Sequence, residues 1–400
     1  MGNQYDAIVP VLSKNITFNK FTESEYVLSN RVHRHYLKIN TAVYDVLNVV
    51  DGLKNMKQIT DAYQGIHNKS ITVDELYNLL HQRLAPYGIL ENFEDAIKGY
   101  EKPYYLALSF VIFPEAVVHG ITRHLHFLFN KTSVFIILGI CLVITTLMFS
   151  LHFDLYSAFN LRDSLVYFFV TMAISVTFHE IGHATAAGYF GARHGAIGGG
   201  FYLFTPVYYA DVTDIWRLSR KQRIVVNLAG MYFEFIFCSL LAVVSFIAEN
   251  TTLLIVALIV CLHTLFNLNP FLRSDGYWVL SDLTNQPNLV FHATRKIQEV
   301  FRFIFFKKSI LWNRIDIFLL VYGLISFSMI GMFIYYILIK NPNSILHFPQ
   351  NAFNFVNGIF DGSSEFSMIK YGELIAPLIF FMLVVKVGMA FIKKRRAATS

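Results

Sequence analysis

The chain is 400 residues long, 55% hydrophobic and only 15% charged, with a mean hydropathy of +0.47. An ordinary soluble domain carries about 25% charged residues, so this composition argues against a wholly soluble protein and for lipid as part of the solvent. The net charge of +6 reads as basic cytoplasmic loops, and no aromatic-basic stripe supports nucleic-acid binding.

The N-terminus, Met1-Gly2-Asn3-Gln4-Tyr5-Asp6, is polar and has no apolar core. No cleavable signal peptide is expected, and the first domain is expected to stay in the cytosol. Residues 1–95 read as a small α/β domain. Tyr26-Val27-Leu28 and Tyr36-Leu37-Lys38-Ile39 have strand character around a polar turn. Asn40-Thr41 offers a helix N-cap, Val43, Val46, Leu47 and Val50 follow at helical spacing, and Asp51-Gly52 closes that helix. A second helix lies near Met56 to Tyr63. A third starts at Thr72-Val73-Asp74-Glu75, which has capping-box form, and turns Leu76, Leu79, Leu80 and Leu84 inward. Pro86 and Gly88 end it, and Ile89-Leu90 returns as a short strand. This order is winged-helix-like. The helix from Ala42 to Val50 carries Asp45 and no Lys or Arg, which disfavours nucleic acid as a partner.

Residues 96–130 form a connector, in which Tyr104 to Ile112 is apolar but too short to span and reads as interfacial or re-entrant. Six later runs are long enough to cross about 30 Å of hydrocarbon: 133–153, 164–190, 224–248, 251–272, 316–340 and 371–392. Glu249 and Asn250 alone separate the third from the fourth, which predicts a tight hairpin. Basic residues crowd the loops 191–223 and 273–315 and the tail Lys393-Lys394-Arg395-Arg396, whereas the loops 154–163 and 341–370 hold only Arg162 and Lys370. Six spans with both termini cytoplasmic place every basic loop on one side, as expected of a multi-pass cell-membrane protein. Cys141, Cys238 and Cys261 sit in apolar runs without CxxC spacing and are expected to be buried free thiols.

The second apolar run contains Thr177-Phe178-His179-Glu180-Ile181-Gly182-His183. On a helix, positions i and i+4 share a face, so His179 and His183 can reach one Zn²⁺, while Glu180 beside them can take a proton from the attacking water. Histidines and a glutamate inside a span are costly and mark function. A catalytic zinc usually has three protein ligands. The best third candidate is Asp275, in Asn267-Leu268-Asn269-Pro270-Phe271-Leu272-Arg273-Ser274-Asp275-Gly276. There Pro270 breaks the fourth run and Gly276 permits a sharp turn. The charge-derived topology puts this segment on the same side as the histidines. At 1.5 Å per residue His183 lies about 10 Å inside the cytoplasmic end of its helix, so water and substrate need a cleft from the cytosol. His263 reads as a core histidine or one that faces the site. Asp211 and Asp214 read as caps or supporting groups rather than ligands. Phe201–Tyr209 reads as an edge strand or membrane-dipping hairpin that could pair with a substrate strand, with Gly198-Gly199-Gly200 as a flexible approach to it.

These residues resemble the site-2 protease family of intramembrane zinc metalloproteases. The HExxH helix matches His179–His183, and the family's Asn-Pro…Asp-Gly segment matches Asn269-Pro270…Asp275-Gly276. The resemblance covers roughly residues 105–310. It implies His179, His183 and Asp275 as metal ligands, Glu180 as general acid/base, and Asn267 or Asn269 as a catalytic group that hydrogen-bonds the substrate or the oxyanion. The family often carries small residues and a second Pro before the Asp-Gly, where this chain has Phe271-Leu272-Arg273-Ser274. The segment from Thr205-Pro206-Val207-Tyr208-Tyr209 to Asn227-Leu228-Ala229-Gly230 is similar to the peptide zinc metalloproteases encoded with modified-peptide and bacteriocin systems. The run Tyr26 to Leu90, with Tyr44-x-x-Leu47-x-x-x-Asp51-Gly52 and Ala85-Pro86-Tyr87-Gly88-Ile89-Leu90, resembles the PqqD-like peptide-recognition domain.

The expectation is therefore a mainly α protein. A PqqD-like domain (1–95) and a connector (96–130) precede a polytopic six-helix membrane core whose zinc catalytic part spans 131–310, and helices and a basic tail occupy 311–400. It would be a zinc endopeptidase that cuts a ribosomally made modified peptide docked on residues 26–90, with the bilayer and a peptide exporter as further partners. The alternatives are a regulated intramembrane protease of a signalling protein and a non-catalytic zinc-binding exporter or immunity protein.

Overall fold

The computed structural model describes residues 4–67, 70–91, 97–99, 106–151, 161–202, 205–307, 312–361 and 368–399. Over the described residues the protein is mainly helical with two small sheets, and its contacts divide it into two compact units. The first comprises Met1–Leu106, Ala187–Gly195 and Asp211–Arg223, and the second comprises the remainder.

The first unit opens with an antiparallel sheet of β1 (Ile16–Lys20), β2 (Glu25–Asn30) and β3 (His35–Asn40), in that order. β1 lies outside the strands expected above: Ile16-Thr17-Phe18-Asn19 alternates, but the run is short and Lys20 breaks it. Asn40 caps α1 (Thr41–Val49), its side chain accepting from the Val43 N–H at 2.9 Å. α2 follows at Met56–His67. α3 (Val73–Tyr77) begins with the expected reciprocal box. The Glu75 N–H donates to the Thr72 hydroxyl at 3.2 Å, and the Thr72 N–H donates back to the Glu75 carboxylate at 2.9 Å. It runs on as wider π-type turns at Asn78–Leu84. Leu28, Leu47, Met56, Ile59, Leu76, Leu80 and Ile89 fill the core with no exposed surface, whereas Leu79 packs only at its margin. The Ile89-Leu90 strand reduces to a single antiparallel bridge between Leu12 and Leu90.

The segments 187–195 and 211–223 fold onto this sheet. Phe21 has two cations over its ring: Lys38, whose Nζ lies 4.5 Å from the ring centre, and the Arg223 guanidinium at 4.3 Å. Trp216 packs beside it at 5.6 Å. Such cation–π stacks hold an apolar ring under long basic stems. Buried Asp214 accepts the Arg193 N–H at 2.7 Å and Arg217 Nε at 2.8 Å, and Arg34 reaches Asp211 at 3.7 Å. Burial and the adjoining Asp214 carboxylate push the Tyr36 hydroxyl well above the usual tyrosine range.

In the second unit, the apolar stretch from residue 106 to Ile112 forms part of a strand, and residues 104 and 105 lie outside the described residues. β4 (Leu106–Phe113) pairs with β5 (Ile197–Tyr202), which pairs with β6 (Thr205–Ala210), in the order β4-β5-β6. Its unpaired polar groups are satisfied by a distant hairpin, a pairing that local hydropathy does not reveal. Gly198-Gly199-Gly200 lies within β5 rather than approaching it. A Cβ on Gly198 would meet the Phe110 carbonyl oxygen at 2.4 Å, and one on Gly199 the Phe110 ring at 2.8 Å. The sheet packs on α4 (Glu115–Leu125) and α6 (Leu161–Tyr189) through Val118, Ala184 and Ile197.

Three helices are long and apolar enough to cross a membrane over the described residues: Lys131–Met148 within α5 (Lys131–Leu151), α7 (Arg220–Ile247), and Arg314–Lys340, which is α11 (Arg314–Tyr335) with its terminal turns. α8 (Thr251–Phe266) is apolar but shorter. It stops before the expected residue 272 because Asn267-Leu268-Asn269-Pro270 forms a turn. Asn250 caps α8 after a tight α7–α8 connection, where Glu249 takes a left-handed φ of 51°. α9 (Asp275–Leu283), α10 (Leu289–Phe306), α12 (Pro342–Leu346), α13 (Phe348–Asp361) and α14 (Met368–Thr399) complete the chain. The three cysteines are buried free thiols. Most of the 154–163 loop lies outside the described residues.

Candidate metal centre

α6 carries His179 and His183 one turn apart, and both are buried. Their Nε2 atoms lie 3.0 Å apart. Asp275, the first residue of α9, brings its carboxylate to 2.9 Å from His179 Nε2 and 3.5 Å from His183 Nε2. One ligand atom from each residue falls within 4.8 Å of the other two. His183 Nδ1 lies 2.7 Å from the Val226 carbonyl oxygen, so it carries the proton and Nε2 presents a lone pair.

The donor set fits a divalent cation. Two imidazole nitrogens and a carboxylate converge on one point, the ligand chemistry zinc prefers. The space around that point is also kept bare. A Cβ on Gly230 of α7 would lie 2.5 Å from His179 Nε2 and 2.6 Å from His183 Nε2. Gly182 acts similarly between the helices, since its Cβ would meet the Ala229 carbonyl oxygen at 2.4 Å. α6 and α7 therefore touch backbone to backbone beside the donors.

The turn that delivers Asp275 is built from its own hydrogen bonds. The Gly276 N–H donates to the Asn267 carbonyl at 2.8 Å, and Ser274 Oγ donates to the carbonyls of Asn267 and Asn269 at 3.0 and 3.1 Å. Gly276 is required there, because a Cβ would fall 2.2 Å from the Leu268 carbonyl oxygen.

Glu180 is buried, and its Oε2 accepts the Ala210 N–H at 2.6 Å. The end of β6 thus lies against the glutamate, and the Tyr208 hydroxyl sits 3.2 Å from Thr177 Oγ1 one turn earlier on α6. The structure brings His179, Glu180, His183 and Asp275 together. It places the asparagines differently: Asn269 Oδ1 accepts the Phe271 N–H at 2.9 Å, and Asn267 Nδ2 donates toward Glu234 at 3.4 Å. Asp211 caps its own turn, accepting the Thr213 hydroxyl at 2.7 Å.

Gly230 ends the run Asn227-Leu228-Ala229-Gly230, and Glu234 lies outside every motif quoted above. The available signal was a carboxylate inside an apolar span, four residues after a glycine and hence on the same helix face.

The chain is similar to the Bacillus subtilis protein YydH, whose name assigns it to the peptide zinc metalloproteases, at 30% identity over 110 residues. That match covers 27% of this chain and 43% of the relative, so the chain spans less than half of that protein's length. No family model and no solved structure matches.

Proposed function

We propose that this protein is a membrane-embedded zinc endopeptidase of site-2 protease type that cleaves a peptide precursor at the cytosolic side of the bilayer. The observation that carries the proposal is the convergence of His179, His183 and Asp275 within 4.8 Å, with Glu180 adjoining. The similarity to a protein named as a peptide zinc metalloprotease supports it.

In this mechanism His179, His183 and Asp275 would hold zinc, which supplies Lewis acidity to the attacking water and the scissile carbonyl. Glu180 takes the proton from the water and later passes it to the leaving amine nitrogen as the C–N bond breaks. The Ala210 N–H occupies Glu180 Oε2, which leaves Oε1 to carry the proton. Asn267 and Asn269, held in the turn before Asp275, are the candidate hydrogen-bond donors to substrate. β6 is the outer strand of its sheet, so an extended substrate segment can pair along it and reach Glu180.

Six membrane spans with cytoplasmic termini complete the proposal, supported by the asymmetry of Lys and Arg among the loops. Residues 26–90 would dock the substrate, taken to be a ribosomally made modified peptide. The test is mass spectrometry of candidate peptides incubated with wild-type and Glu180→Gln protein in micelles. Cleavage by the wild type alone is expected. Peptide maturation that survives Glu180→Gln with zinc still bound would instead make the chain a non-catalytic zinc-binding partner of peptide export or immunity.

A further inference from the structure

Glu234 is a carboxylate 1% exposed on α7, a helix apolar enough to span a membrane. An ionised group in such a place is costly unless several polar groups meet it. Here they come from three other segments. From α6, Ser175 Oγ donates to Oε1 at 3.3 Å and His179 Nδ1 lies 3.1 Å from Oε2. From α8, His263 Nδ1 lies 3.6 Å from Oε1. From the turn before Asp275, Asn267 Nδ2 donates to Oε2 at 3.4 Å.

The position of Glu234 relative to His179 decides what it can do. It faces Nδ1, whereas Asp275 and His183 face Nε2, so Glu234 is not a fourth ligand to the same ion. The contact to Nδ1 is of ion-pair length but not aligned as a hydrogen bond, and among the described residues no other acceptor serves that buried nitrogen. An imidazole with a carboxylate behind Nδ1 keeps its proton there. Nε2 then stays deprotonated, more basic, and fixed in rotation. His183 receives the same service from a neutral carbonyl.

We propose that Glu234 is a positioning residue of the metal centre, acting in two ways at once. It orients and polarises His179 from behind, and through Asn267 it fixes the turn that presents Asp275. α6, α7, α8 and the turn before Asp275 are thereby joined at one carboxylate. This proposal rests on the zinc reading of the site.

The test uses the full chain in detergent micelles, with zinc alone as probe. Zinc per chain is measured by elemental analysis, affinity by competition with a chromophoric chelator, and ligand geometry by the absorption spectrum of the Co²⁺-substituted protein. Wild type and Glu180→Gln are expected to bind one zinc with similar affinity. Glu234→Gln, which keeps shape but not charge, is expected to bind about 10–100-fold more weakly with an altered Co²⁺ spectrum. Wild-type affinity and spectrum in Glu234→Gln would overturn the positioning role and leave the zinc reading standing. A wild-type chain that binds no zinc would overturn both. Thermal melting of the metal-free proteins separates lost binding from lost folding. If Glu234→Gln does not fold, Glu234→Asp decides. With charge retained and reach one methylene shorter, it is expected to lose roughly threefold or more in affinity, and an unchanged value would overturn the proposal.

Discussion

The backbone N–H of Ala210 donates to Oε2 of Glu180 at 2.6 Å. The last residue of β6 is thereby bonded to the residue between two candidate metal ligands, and a peptide paired along β6 would run directly to the reacting centre. Glu180→Gln preserves the shape of this contact and removes the base. Peptide cleavage is expected to fall about 10²–10⁴-fold with zinc per chain unchanged, read by mass spectrometry of products beside elemental analysis. Retained cleavage would remove Glu180 from the proton-transfer role.

Gly230→Ala tests the bare face of α7. Its methyl group would sit 2.5 and 2.6 Å from the two Nε2 atoms, inside the volume a metal needs. The variant is expected to fold, at a cost of about 1–3 kcal/mol for overpacking, and to retain little zinc after gel filtration. Full zinc occupancy would show that the donors do not converge as described.

Asp214→Ala addresses the first unit. Asp214 is 3% exposed and receives the Arg193 N–H and Arg217 Nε. Its loss leaves two part-buried donors without their acceptor and is expected to cost about 1 kcal/mol. Limited proteolysis should show earlier cutting within 187–223, and cutting identical to wild type would argue against the contact.

Removal of metal should be reversible. Chelation is expected to abolish cleavage and lower the melting temperature, and added zinc to restore both. A ligand at 100 times its dissociation constant stabilises by about 2.7 kcal/mol. A melting curve indifferent to chelator would argue against a zinc site formed in the folded state.

Much of this architecture is legible in the sequence because it is written in local periodicity. The Asn40 cap, the Thr72–Glu75 box and the two histidines four apart each involve residues within one helical turn. What local pattern does not carry is pairing across long separations. β4 meets β5 some ninety residues later, so strand pairing within the apolar stretch Tyr104 to Ile112 is not visible until its partner is known. Gly198 and Gly199 look like a flexible tether for the same reason, since Phe110 is what requires them. Glu234 stays uninterpretable for a related cause: its partners Ser175, His179, His263 and Asn267 are scattered over three other segments.

That scatter has a consequence for biogenesis. A carboxylate at the centre of a membrane helix raises the cost of insertion by about 2.5–3.5 kcal/mol on translocon scales. Glu234 emerges from the ribosome after Ser175 and His179 but before His263 and Asn267. If α7 enters a membrane as it is made, the described polar partners of Glu234 already synthesised are Ser175 and His179 on α6, where Gly182 allows backbone contact with Ala229. The two helices are therefore expected to enter lipid as a pair. Glycosylation mapping of α7 in a chain lacking α6 should reveal its failure to insert, and normal insertion there would dissociate the order of assembly from the polar cluster.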